Sequence, residues 1–208
     1  MSMKKFTRWI PIVMAALLLL LGIFNSHPYY GEYNSVPDVV PILGANVASA
    51  QDNVTPCTLV YGYMNDPDPN GLNVRVGPGS GYAIVDRLPS PKTGSYAVVT
   101  IVGSVGNWLK ISEVSIFNGQ EVLKKINGWV YAPLIATSTR DDDYSDSEYV
   151  AQLRERPDYN SRTITEIPAE ATVPLLGCRG GWVKIRYNKV EGWLSPEGQC
   201  PSPVTTCP

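Results

Sequence analysis

The sequence predicts an all-β protein: two small, partly open barrels in tandem behind an N-terminal apolar export or anchor segment. Three observations predict it. Short runs rich in branched residues recur beyond Cys57, such as Val98-Val99-Thr100-Ile101-Val102 and Thr172-Val173-Pro174-Leu175-Leu176, while no stretch carries a convincing helical apolar stripe. Glycine and proline are both abundant, at 18 each in 208 residues, which suits short strands joined by many turns. The same series of short motifs is written twice, in the same order.

The second copy is the easier to read. Gly177 to Ser195 forms a hairpin with a Gly-Trp step opening each strand, at Gly181-Trp182 and Gly192-Trp193. Alternation sorts Trp182, Lys184 and Arg186 onto one face and Val183, Ile185 and Tyr187 onto the other. Asn188-Lys189 supplies the turn, because Asn tolerates the left-handed backbone. Upstream, Asn107-Trp108-Leu109-Lys110-Ile111 matches Gly181 to Ile185, and Gly128-Trp129-Val130-Tyr131 matches Gly192 to Ser195. Leu72 to Pro78 matches Ala151 to Pro157. The separations Arg75–Arg154, Trp108–Trp182 and Trp129–Trp193 are 79, 74 and 64 residues, so the first copy holds two insertions. One falls in the loop Pro89 to Gly94. The other lengthens the hairpin between Ile111 and Gly128 and turns at Asn118-Gly119. Pro174 inside its run predicts an edge position or a bulge.

This order, Leu-Asn-Val-Arg-x-Gly-Pro, then an aliphatic pair, Gly/Asn-Trp-x-Lys-Ile and Gly-Trp-Val, resembles the bacterial SH3-like (SH3b) domain. The likeness spans roughly Asn70–Ile135 and Glu148–Pro196. The second copy departs at its opening, where Arg156 stands in place of the usual Gly and Gln152 in place of Asn. The resemblance implies SH3-like barrels over 70–136 and 148–197, and a role in recognising cell-wall peptide or glycan or in docking another protein.

The rest of the chain is divided around the copies. Residues 1–24 read as a signal peptide or signal anchor: Lys4, Lys5 and Arg8 precede an apolar run from Ile10 to Phe24. Ala48-Ser49-Ala50 offers a cleavage site after residue 50, whereas an uncleaved segment would contact the membrane through residues 9–24. Either way the body of the protein is extracytoplasmic, secreted or anchored. Residues 25–69 read as a proline-containing spacer, 137–147 as an acidic linker and 198–208 as a Cys/Pro-rich tail. A calcium loop at Asp141, Asp143 and Ser145 lacks the Gly and the later Glu such a loop needs. Beyond an export signal, four cysteines favour disulfides over a metal site, and no pair has Cys-x-x-Cys spacing. Three pairings are open to them. The pairing chosen here closes the second copy with Cys178–Cys200 and ties the termini with Cys57–Cys207.

Composition narrows function. A net charge of −2 gives no electrostatic footprint for nucleic acid. The sole histidine, His27, lies outside both copies, which disfavours a Cys-His nucleophile, a serine triad or a zinc amidase centre. No catalytic residue, metal or cofactor is therefore expected. The candidate ligand surface comes from alternation: Trp108 with Lys110, Trp182 with Lys184 and Arg186, and Tyr82 and Tyr159 in the loops after the Arg-x-x-Pro corners. The competing reading has Trp108 and Trp182 capping barrel ends under loops. Trp129 and Trp193 are expected in the core, and Arg75 and Arg154 are expected to bond backbone carbonyls. The partner is a cell-wall polymer or, alternatively, an envelope protein docked by a membrane-anchored scaffold.

Overall fold

A computed structural model describes residues 53–141, 150–204 and 207, all within one compact unit, Asn46–Pro208. The expected signal segment and cleavage site, the expected spacer before residue 53 and most of the acidic run lie outside the described residues.

The described chain is all-β. Its strands are β1 (Thr55–Met64), β2 (Leu72–Arg75), β3 (Ile84–Leu88), β4 (Tyr96–Val105), β5 (Trp108–Phe117), β6 (Glu121–Tyr131), β7 (Ile135–Thr139), β8 (Val150–Arg154), β9 (Thr163–Pro168), β10 (Thr172–Arg179), β11 (Trp182–Tyr187), β12 (Val190–Leu194) and β13 (Gln199–Cys200). They form one open sheet in the order β3-β2-β6-β5-β4-β1-β7-β10-β11-β12-β8-β9, with β13 added on β7. The path is the same six-strand arrangement twice, joined back to back where β1 meets β7.

The repetition extends to register. Leu109 pairs Val130, Lys110 pairs Trp129 and Ile111 pairs Gly128 in the first half. Val183 pairs Leu194, Lys184 pairs Trp193 and Ile185 pairs Gly192 in the second. Trp129 then pairs Arg75, as Trp193 pairs Arg154. The Gly-Trp steps have a tighter reason than a bend. A Cβ on Gly192 would stand 2.6 Å from Leu153 Cγ and 2.8 Å from the Arg154 carbonyl oxygen, and one on Gly128 would collide with Val74. Only glycine leaves room for the neighbouring strand to press in.

The turns follow the sequence signals. Asn188 and Lys189 both have positive φ, 46° and 68°, as a two-residue hairpin turn matched to strand twist requires. At the tip of the long β5–β6 hairpin, Gly119 takes φ 74° between Phe117 and Glu121, which pair. Pro174 sits where β10 hands over from β7 to β11, and the ladder is irregular between Leu175 and Gly177.

Alternation builds the core. Leu109, Ile111, Val183 and Ile185 are fully buried and join a continuous cluster that includes Val60, Val74, Ile135, Leu153 and Leu194. Three boundaries differ from the sequence reading. The spacer was expected to run to residue 69, yet β1 lies inside it with Val60, Tyr63 and Met64 buried. The linker was expected from residue 137, yet Thr137 and Thr139 are buried in β7, and the Thr139 hydroxyl donates to the Pro168 carbonyl at 2.6 Å. The tail was expected from residue 198, yet Gln199 and Cys200 form β13, and the Gln199 amide donates to the carbonyls of Gly181 and Ser195.

The disulfides also differ. All four cysteines are bridged, but as Cys57–Cys178 and Cys200–Cys207 rather than Cys178–Cys200 and Cys57–Cys207. The physical reason is β1. It carries Cys57 to β10, where Thr58 N–H donates to the Gly180 carbonyl at 2.8 Å and Gly180 N–H to the Pro56 carbonyl at 3.0 Å. That contact leaves Cys178 beside Cys57 with their Cα atoms 5.7 Å apart.

Candidate functional site

The candidate residues resolve into two aromatic corners, one in each half, built on the same strands. In each, the arginine of the first strand reaches across its loop. Arg75 Nη1 donates to the Tyr82 carbonyl at 2.7 Å, and Arg154 Nη1 donates to the Ser161 carbonyl at 2.8 Å. Both bonds span seven residues, so the loops have equal length and Tyr82 corresponds to Ser161. The carbonyl-bonding role read for both arginines holds. Tyr82 and Tyr159 are not equivalent: Tyr159 corresponds to Ser80.

In the first corner, Trp108 is half-buried at the start of β5 and meets Tyr131 edge-on, with ring centroids 5.7 Å apart and planes at 62°. These rings line an open groove of about 560 Å³ together with Leu134, Arg75, Asn73 and Ser80. Asp66 and Asp68 line it as well. The Asp66 carboxylate accepts from Asp68 N–H at 2.9 Å, and Asp68 accepts from Asn70 N–H at 2.9 Å, so the loop before β2 is held by its own side chains. Lys110 shares the strand face of Trp108 but does not line this groove. Tyr82 is also away from it; its ring lies where a side chain on Gly77 or Gly79 would be.

In the second corner, Trp182 is buried and Tyr159 lies against it, with centroids 4.8 Å apart and planes at 60°. The Tyr159 hydroxyl donates to Glu197 Oε2 at 2.8 Å. That hydrogen bond is the main reason its phenol is pushed above the ordinary value. Trp182 and Tyr159 thus come together, but with Trp182 buried against the loop that carries Tyr159, the arrangement the competing reading of a loop-covered Trp describes, rather than as an open face shared with cations. Lys184 and Arg186 do not join them, because both are engaged across the hairpin by Glu191, at 2.9 Å and 2.6 Å. The hydrogen bonds from Arg186 and then Lys184 hold the Glu191 carboxyl below its usual range. Trp129 is buried as expected, while Trp193 is half-buried and lines a separate groove with Lys184 and Glu191.

Sequence reasoning missed Tyr131, Leu134, Asp66 and Asp68 as parts of the first groove. Tyr131 carries a readable signal, since it lies two residues beyond the Gly128-Trp129 step, on strand β6 beside Trp108. The aspartates carry none, because only the chain reversal after β1 brings them to β5.

A family model for the bacterial SH3 domain matches residues 150–198, the second of the two halves. Over 134 residues, 61% of this chain, the sequence is 26% identical to "Putative N-acetylmuramoyl-L-alanine amidase YrvJ" of Bacillus subtilis (strain 168). That stretch covers 23% of the relative, so the chain spans about a quarter of its length. Among solved structures it is similar to NlpC2 of Trichomonas vaginalis, at 14% identity over 67% of this chain and 46% of that one, with a TM-score of 0.26. NlpC1 of the same organism aligns at 13% identity over 70% of this chain and 48% of that one, with a TM-score of 0.27.

Proposed function

We propose that this chain is a non-catalytic, extracytoplasmic binding protein for cell-wall peptidoglycan, with two SH3b-like halves acting as one rigid body. The groove beside Trp108 is its ligand site. The observation that carries this reading is the groove itself, an open cleft lined by an indole, a phenol ring, an arginine and two aspartates. Rings of this kind stack on sugar or peptide faces, while neighbouring charged and amide groups fix orientation. The bacterial SH3 match at 150–198 supports a wall-recognition module, as does a relative named for the N-acetylmuramoyl-L-alanine bond of the wall. Two disulfides fit a place outside the cytoplasm. A non-catalytic role fits the single histidine, His27, which is absent from both halves.

The experiment is retention on insoluble peptidoglycan sacculi. The protein is expected to sediment with sacculi, and a folded Trp108→Ala variant to stay in solution. Retention of both would keep wall binding and displace the site from Trp108. Retention of neither would remove wall binding and direct the search to an envelope protein.

A further inference from the structure

We infer that the two halves are not equivalent binders: the first groove is open to ligand, and the second is closed by the chain's own Tyr159. This deepens the wall-binding reading and rests on it. The basis is an exchange of aromatic residues between equivalent positions. Equal loop spans and identical strand registers make Ser80 the counterpart of Tyr159 and Tyr131 the counterpart of Ser195. In the first half the loop contributes the small Ser80, and the second ring comes from the end of β6 as Tyr131, set edge-on so that Trp108 still lines open space. In the second half the strand end contributes the small Ser195. The ring comes instead from the loop, and Tyr159 lies directly against the indole that a ligand would need.

A second contact fastens that ring. Glu197 stands in the 3-10 turn Pro196–Gly198, where the first half has Pro133 in the turn Ala132–Leu134. Its carboxylate accepts from the Tyr159 hydroxyl, so the ring is held twice, by its tilted contact with Trp182 and by the hydrogen bond. The first half has no counterpart to either contact, because Ser80 has no ring and Pro133 has no carboxylate. A ligand for the second groove must displace an intramolecular occupant, which lowers its apparent affinity by about tenfold or more relative to an open groove. Burial agrees with this order: Trp182 is buried and Trp108 is not.

The test uses the full chain in neutral detergent, labelled with 5-fluorotryptophan and titrated with soluble fragments of sacculi released by muramidase. Fluorine NMR resolves the 5 tryptophans, assigned by single Trp→Phe variants. The Trp108 resonance is expected to move and the Trp182 resonance to stay, with one fragment bound per chain. Tyr159→Ser, which copies Ser80, is expected to let Trp182 respond as well and to double the bound stoichiometry. Movement of both resonances in the unsubstituted chain, or of Trp182 alone, overturns the inference while leaving wall binding intact. An unchanged capacity in folded Tyr159→Ser also overturns it. Movement of neither resonance overturns this inference, and only a chain that binds no fragment at all sinks the wall-binding reading with it.

Discussion

Removing Cys57–Cys178 is expected to cost far more stability than removing Cys200–Cys207. The first bridge joins residues separated by 121 positions and the second by 7, so their effects on the unfolded chain differ sharply. Loop-closure entropy gives about 5 kcal/mol for the long loop and about 2.4 kcal/mol for the short one. Against a typical domain stability of about 5–15 kcal/mol, the first loss brings the protein near its threshold and the second does not. Alanine is the substitution of choice, because Cys178 is buried in the seam and a serine hydroxyl there would need a new partner. The assay is equilibrium urea unfolding without reductant, followed by tryptophan fluorescence, comparing Cys57→Ala/Cys178→Ala with Cys200→Ala/Cys207→Ala. With a urea slope of about 1–3 kcal/mol per molar, the midpoint of the first variant should fall by about 1–2 M more than that of the second. Equal shifts, or a larger loss from the short loop, would refute the argument that the long bridge acts by restricting the unfolded chain.

Other expectations concern single side chains. Gly192→Ala places a Cβ 2.6 Å from Leu153 Cγ and should cost about 1–3 kcal/mol, while Gly81→Ala, which meets nothing within 4 Å, should be near neutral; similar unfolding midpoints for the two would contradict this. Because Glu197 raises the Tyr159 pKa, the folded state favours the neutral phenol, so its contribution holds at neutral pH and is lost as pH climbs past the ordinary value of 10.0 through the raised one. In a tyrosine titration by NMR, Glu197→Gln should bring Tyr159 back toward that value, and an unmoved titration would show that the hydrogen bond is not made. Glu191 is shifted the other way, below 4.5, so its ion pairs stabilise the fold above the ordinary carboxylate range and are lost as pH falls through the lowered value. Glu191→Gln should cost under about 1 kcal/mol at pH 7, since all three side chains are partly exposed, and should flatten the acid side of the stability profile; an unchanged acid limb would argue against the pairing.

What the sequence discloses follows the range of the interactions. Asn118-Gly119 and Asn188-Lys189 announce their hairpins because the turn is decided by adjacent backbone angles. Leu109, Ile111, Val183 and Ile185 announce the core face because alternation is a property of one strand. Strand β1 is hidden because its period is broken: Leu59 sits at φ 54° in an irregular stretch and is 80% exposed, between exposed Thr58 and buried Val60. Strand β7 is hidden because Ile-Ala-Thr-Ser-Thr carries little apolar signal, and its burial comes from β1, β10 and β13, all distant in sequence. The disulfides fail with β1, since nothing local brings Cys57 to Cys178. At the candidate site, the loop after the arginine corner is legible as a neighbour of the Trp, but which of its residues meets the ring is not: Tyr159 touches Trp182, while Tyr82 lies away from Trp108's groove. The fate of Lys184 and Arg186 is overlooked rather than hidden, because the two-residue turn at Asn188-Lys189 already sets Arg186 opposite Glu191.

The meeting of β1 and β7 bears on what either half can do alone. On one side β7 pairs only with β10, and on the other it is shared between β1 at its start and β13 at its end. A chain cut after Asp141 would lose β10 and β13 together and leave β7 as a rim of unpaired amides and carbonyls. Such a rim is a template for further strands. The excised first half is thus expected to self-associate with rising concentration, and the boundary between the repeats is a poor place to divide this protein for expression.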